Sequence, residues 1–181
     1  MGFLLAMSRI YLPRSIQKSR LSELFRATAD AFQRQAPQLE GYSLEQYLTK
    51  YALFTAENAE RTIRQGDEYE VKERLYNNAC RIGQNIREEL KVRTLKEVMQ
   101  ACEVIYMALK IEFHGDLQGQ IDIRSCFFSS FYSSDVCRVI SSLDEGLVAG
   151  LSGGLRMEFS QRITEGSKCC RAHLLAAGSS L

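Results

Sequence analysis

The 181-residue chain is expected to be an α+β protein, with an N-terminal helical lobe of about four helices followed by a small antiparallel sheet with one packed helix. Three observations predict this. Apolar residues recur at three-four spacing from Ser15 to Lys110. The period changes to two after Gly115, over Gln120–Phe128 and again over Leu155–Ile163 and Lys168–Ala176. Between these stretches a helical pattern returns over Ser133–Leu151 and breaks at Ser152-Gly153-Gly154.

Each element has its own signal. Leu21, Leu24, Phe25, Thr28, Ala31 and Phe32 make the stripe of a first helix, Ser15–Gln35, which Pro37 is expected to stop. Ser43 and Gln46 form a capping-box pattern that opens a second helix, ending near Gln65-Gly66-Asp67. A third helix is predicted over Glu68–Leu90, with Val71, Leu75, Ala79, Ile82 and Ile86 on one side. Thr94 and Glu97 open the fourth. In the first strand Ile121, Ile123, Ser125 and Phe127 are expected on one face, with Asp122, Arg124, Cys126 and Phe128 on the other. Leu155, Met157, Phe159 and Ile163 share a face of the second strand, and Glu165-Gly166-Ser167-Lys168 reads as a hairpin turn. Three strands and one helix make a thin layer, so the third or fourth helix is expected to cover the sheet's other face. The division is 1–14 as an N-terminal extension, 15–114 as the helical lobe, 115–176 as the α+β lobe carrying the candidate site and 177–181 as a tail, in a single compact domain.

Composition narrows the function classes. Hydrophobic residues make 45% of the chain and charged residues 25%, the balance of an ordinary folded domain, which argues against disorder and fibrous repeats. The net charge of +1 gives no electrostatic case for nucleic acid. No apolar run is long enough to span a bilayer. The opening MGFLLAM is too short in its apolar part for a signal-peptide core and has no basic residue before it, Gly2 lacks the Ser or Thr of a myristoylation signal, and Met7 is an alternative start. A cytoplasmic protein with six reduced cysteines is expected, since the chain is too long to need staples and no signal peptide is evident; the lack of a CxxC pair argues against zinc-ribbon and thioredoxin-type sites.

The reactive residue types gather in the last third. Cys137 and Asp144 lie seven apart, so on a helix they project within about 20° of each other. They fall at the edge of the arc formed by Val136, Ile140, Leu147 and Leu151. An acid there needs partners, or its pKa rises. Cys126 is expected on the face with Asp122 and Arg124, and Cys169 on the face with Arg171 and His173. If these elements converge, Cys126, Cys137, Asp144 and Cys169 surround one pocket, which Tyr132 is placed to reach. Such a set suits a transition metal or Fe–S cluster on Cys126, Cys137 and Cys169. It equally suits a cysteine nucleophile tuned by His173 or Arg171, an acid held by loop amides, or cysteines packed as small hydrophobes. His114 reads as a solvated loop residue at the lobe junction, Tyr47, Tyr51, Tyr76 and Tyr106 as core or lobe-interface residues, and Cys80, Cys102 and Cys170 as packed thiols. No HExxH, GxSxG, Walker or dinucleotide fingerprint occurs.

The segments Cys126-Phe-Phe-Ser-Ser-Phe-Tyr132, Cys137-Arg-Val-Ile-Ser-Ser-Leu-Asp144 and Arg162-Ile-Thr-Glu-Gly-Ser-Lys-Cys169-Cys170 together resemble the L-2-amino-thiazoline-4-carboxylic acid hydrolase family. That resemblance implies hydrolysis of a cyclic amidine-like C–N bond, with Asp144 activating water and Arg171 steadying a substrate carboxylate. The Gly166-x-x-Cys169 spacing is also similar to the 4-vinyl-reductase-type ligand-binding domains, which implies a non-enzymatic small-molecule or tetrapyrrole-binding module. Both imply a small-molecule ligand or substrate, and charge and hydropathy lead to the expectation of no nucleic-acid and no membrane partner. The cofactor, the substrate and a homodimeric state stay open.

Overall fold

The computed structural model describes residues 14–38 and 40–176. The expected extension before Arg14, the alternative start at Met7 and the 177–181 tail lie outside the described residues. Four helices come first, as expected: α1 (Arg14–Ala31), α2 (Leu44–Gln65), α3 (Glu68–Leu90) and α4 (Leu95–Ala108). Helix α1 ends four residues before the expected Gln35. Gln33 adopts a positive φ of 54° and bonds back to Asp30, so a left-handed residue stops the helix before Pro37 is reached. Both capping boxes are formed: Gln46 N donates to Ser43 Oγ at 3.2 Å, and Glu97 N donates to Thr94 Oγ1 at 3.3 Å.

The remainder is a four-stranded antiparallel sheet with one helix. Its strands are β1 (Ile111–Gly115), β2 (Gln120–Cys126), β3 (Arg156–Gln161) and β4 (Cys170–Leu175), in the order β1-β2-β4-β3. Helix α5 (Ser134–Ser152) connects β2 to β3. Strand β1 corrects the expected count of three, and it lies where the helical lobe was expected to end. Its five residues hold only two inward apolar side chains, Ile111 and Phe113, which is too short a run to announce a strand. It pairs with β2 through a turn in which Asp116 Oδ1 accepts from the amides of Gln118 and Gln120.

A single face of the sheet is buried. Ile111, Phe113, Ile121, Ile123, Met157, Cys170 and Ala172 pack into one core with Met99, Cys102 and Tyr106 of α4 and with Val148 and Leu151 of α5. The expectation of a helix on the sheet's other face is therefore corrected: both helices lie on the same face, and the opposite one carries Glu112, His114, Asp122, Arg171 and Glu158. Helices α3 and α5 make the most extensive helix–helix contact of the fold. Gly146 sits against the Tyr76 carbonyl and Gly150 against the Cys80 carbonyl, where an added Cβ would come within 2.1 and 2.0 Å of the oxygens. The matching steps of four residues show that the two helices run parallel. Among the described residues no helix is long and apolar enough to cross a membrane.

Two bulges decide which side chains reach the core. In the β1–β2 ladder Phe113 pairs with Ile123 and Glu112 with Ser125, which leaves Arg124 as the extra residue. In the β3–β4 ladder Phe159 pairs with Ala172 and Gln161 with Arg171, which leaves Ser160 extra. Each insertion reverses the alternation beyond it. Cys126, expected on the polar face, turns inward, and so does Arg162; Phe128, expected on that face as well, is buried from the helical turn Phe127–Ser130 that follows β2.

Candidate functional site

Between the helices and the inner face of the sheet lies a cavity of about 310 Å³. Helix α5 presents to it Cys137, Ile140, Ser141, Asp144 and Leu147, a stripe at three-four spacing. The stripe is fixed at its start by Ser133, whose hydroxyl accepts from Val136 N at 3.2 Å, and on its far side by the glycine contacts with α3. Opposite it stand Leu21 and Leu24 of α1, Ile82 and Ile86 of α3, and Ile105 and Tyr106 of α4. The sheet contributes Ile123, Cys126, Phe159 and Cys170, and the turn after β3 contributes Arg162 and Thr164.

Asp144 is the chemical centre of this wall. The Tyr106 hydroxyl donates to its Oδ1 at 2.7 Å. Asp144 is partly buried and lines the cavity. Burial pushes its carboxyl up to about 6, against the Tyr106 hydrogen bond and the Arg162 charge, which pull it down. The carboxylate in turn raises its neighbours. The Tyr106 hydroxyl is held well above its ordinary value, chiefly by burial and then by the Asp144 charge. Burial with the same charge brings the Cys102 thiol up to about 12.

Two of the cavity thiols, Cys126 and Cys170, are poorly set for nucleophilic attack. Burial pushes Cys126 up to about 12, though backbone hydrogen bonds from Phe128 and Ser129 offset part of the effect. Cys170 is raised mainly by burial as well, while its sulfur accepts from Ile163 N at 3.3 Å. Tyr132 stacks on Phe128 with ring centroids 5.7 Å apart, and its hydroxyl is bonded to Thr55. Tyr51 lines the same space, with its hydroxyl 3.0 Å from Thr28 Oγ1.

The expected site residues divide. Asp144, Cys137, Cys126 and Tyr132 line one cavity. Cys169, Arg171 and His173 are not among its lining residues. Arg171 lies on the outer face of the sheet, where its Nε donates to Asp122 Oδ1 at 2.9 Å, so it is no partner for Asp144. His173 shares that outer face, two residues along β4. Cys169 precedes β4 and accepts from Gln161 Nε2 at 3.2 Å; its neighbour Cys170 takes the inward position. Cys126, Cys137 and Cys169 therefore do not form the expected metal-ligand set, and among the described residues no three His, Cys, Asp or Glu side chains come together as a metal site. All six cysteines are free thiols. His114 is exposed on β1, with Nε2 3.2 Å from Glu112 Oε1.

Three residues of the cavity escape sequence reasoning. Tyr106 reads as an ordinary core position on α4, and nothing local ties it to an acid 38 residues away. Arg162 lies beyond the Ser160 bulge, where simple alternation assigns the wrong face, and Thr164 lies in the helical turn that follows, where alternation no longer applies. No family model matches the chain, and no curated protein and no solved structure matches it.

Proposed function

We propose that this protein is a small-molecule-binding module whose ligand occupies the cavity between the helical layer and the sheet. One observation carries the reading: a largely apolar cavity of about 310 Å³ with a buried acid–phenol pair, Asp144 and Tyr106, in its wall. Cavities of this kind are costly to maintain in a close-packed interior unless something fills them. Free thiols at all six cysteines suit a reducing compartment, and we place the protein in the cytoplasm on that ground. The test is thermal melting against a panel of amphipathic small molecules, together with native mass spectrometry of the freshly purified chain. A ligand should raise the Tm of the wild type and leave Ala101→Phe, which fills the cavity wall, unshifted. No shift with any compound and no co-purifying mass would count against the proposal. Visible colour in the purified protein would point to a tetrapyrrole as the ligand.

A second reading, hydrolysis of a cyclic amidine C–N bond, is favoured by the Asp144 carboxyl. A group near 6 is ionised at neutral pH yet basic enough to take a proton from water. Water would add to the ring carbon between sulfur and nitrogen as Asp144 accepts its proton, and the C–N bond would then open as Asp144 returns that proton to the leaving ring nitrogen. Incubation with 2-amino-thiazoline-4-carboxylate should show turnover that rises with pH through about 6 and is lost in Asp144→Asn. A wild type without turnover leaves the binding module alone.

A further inference from the structure

Resting on the cavity-binding reading, we infer that the ligand is an amphipathic monocarboxylate, with its head group on Arg162 and Thr164 and its tail along the aliphatic wall of α1, α3 and α4. Arg162 Nη1 and Thr164 Oγ1 are buried and have no hydrogen-bond partner. Both residues line the cavity and stand two apart, Arg162 capping and Thr164 within the turn Ile163–Glu165 that follows β3. A buried polar atom left without a hydrogen bond is expensive, and native structures keep few such groups. Two of them on one turn of one cavity wall mark where a ligand's acceptors belong.

The arginine is held in place with its Nη1 left unbonded, although Glu165 and the Asp144 charge lie near it. Its side chain is only 12% exposed, and its guanidinium lies over the Phe159 ring at 4.2 Å from the centroid. Its Nε is 4.0 Å from Glu165 Oε1, and that oxygen already takes Arg138 at 2.8 Å. A guanidinium N–H and a hydroxyl supply two donors, which complement the two oxygens of one carboxylate. Asp144 shares the cavity, so a dianionic head such as a phosphate is opposed by a second negative charge.

The rest of the wall sets the tail. Leu21, Leu24, Ile82, Ile86, Ile105 and Leu109 are aliphatic and line the same space. The cavity residues on α3 run from Ala79 to Leu90, about 16 Å along the axis at the helical rise. That length accommodates an extended alkyl chain.

The experiment is isothermal titration of the full chain with decanoate, decanol and decyl phosphate, using the wild type, Arg162→Met and Thr164→Val. Decanoate should bind the wild type at least about tenfold more tightly than decanol. Arg162→Met should bring decanoate down to the level of decanol while decanol itself is unchanged, and Thr164→Val should weaken decanoate alone. Dodecanoate should bind more tightly than decanoate, by up to about fourfold per added methylene. Equal binding of decanoate and decanol by the wild type overturns the head-group assignment and leaves the cavity reading standing. Decyl phosphate binding above decanoate overturns the monocarboxylate. Failure of all three ligands, decanol included, removes the cavity reading as well. Should Arg162→Met not fold, Thr164→Val and the wild-type ranking decide the matter.

Discussion

The Tyr106 hydroxyl donates to Asp144 Oδ1 at 2.7 Å, tying α4 to α5 across the cavity. The acid so held sits near 6, against an ordinary aspartate value of about 3.9 in the unfolded chain. Below the ordinary value both states carry the proton and burial of Asp144 costs nothing. As pH rises towards 6 the unfolded chain ionises first, so the folded state loses ground until both are ionised. The loss from this group is about 3 kcal/mol and is constant above its folded pKa. Its surroundings are Tyr106 and Cys102 on α4, Tyr51 on α2, Arg162 on the turn, Cys126 on β2, and Glu145 on its own helix. Glu145 is also raised, mainly by burial and then by the Asp144 charge, and adds a fall of the same sign. Urea unfolding between pH 4 and 7.5 should therefore show stability declining with pH, and Asp144→Asn should flatten most of the slope. Because the lowered Asp122 and Glu97 carboxyls act with the opposite sign near pH 4, the deciding comparison is with the variant: a wild type that declines no more than Asp144→Asn across that window would contradict a buried, raised Asp144.

Removing the phenol tests the other half of the pair. Tyr106→Phe keeps the ring contact with Phe113, 4.9 Å between centroids, and deletes only the donor. At pH 8 an ionised buried carboxylate then lacks its partner, and the variant should lose about 1–3 kcal/mol. At pH 4.5 Asp144 is protonated and the loss should shrink. Combined with Asp144→Asn, the cost of Tyr106→Phe should fall well below its single-variant value at pH 8, which a double-mutant cycle reads directly.

The wall that carries Asp144 depends on close approach of α3. Gly146→Ala or Gly150→Ala would place a methyl against a backbone carbonyl of α3, which cannot swing aside as a side chain could. Each substitution should cost about 3 kcal/mol, the upper range of overpacking, seen as a lowered urea midpoint. Gly41, whose added Cβ would meet nothing within 4 Å, is the control for a crowding effect, although its φ of 81° keeps a small backbone penalty.

Thiol chemistry separates burial from reactivity. In denaturant all six cysteines should react with a disulfide reagent. In the native protein Cys102 and Cys126, both pushed up to about 12, should react slowest. Mass mapping after a short alkylation would report the order. Early modification at Cys102 would mean that α4 opens far more readily than its packing implies.

Much of this architecture was legible from local chemistry. The Ser43–Gln46 and Thr94–Glu97 boxes mark helix starts because the cap is a contact within four residues. The seven-residue step from Cys137 to Asp144 puts both on one cavity wall because helical phase is regular. Sheet phase is not regular here. Arg124 and Ser160 each add a residue, and no feature of the sequence separates them from neighbouring strand residues. Alternation therefore puts Cys126 on the face of Asp122 and Arg124, which the structure turns away from the pocket, and does not bring Arg162 into the site, while Arg171, in perfect phase, is expected at a site it does not reach. The Tyr106–Asp144 bond is a tertiary fact, set by how α4 and α5 share the sheet.

The bulges themselves make the last prediction. With Arg124 deleted, Ile123 still faces in, Ser125 still faces out and Cys126 still faces in, because the extra residue had doubled one outward position. The ladder becomes regular and no core side chain changes face. Deleting Asp122, one step outside the bulge, instead turns Ile121 out of the core, where it is 1% exposed, or forces the hairpin register to slip. Deletion of Arg124 should therefore leave a cooperatively folding protein, weakened by no more than about 3 kcal/mol. Deletion of Asp122 should abolish the cooperative melt. The same contrast should hold on β3, between deletion of Ser160 and deletion of Glu158. Circular-dichroism melting of the four proteins is enough to decide it. If both deletions on a strand are equally damaging, the extra residue is fixed by strand twist and not merely tolerated by the ladder, and the phase argument that places Cys126 and Arg162 at the cavity loses its independent support.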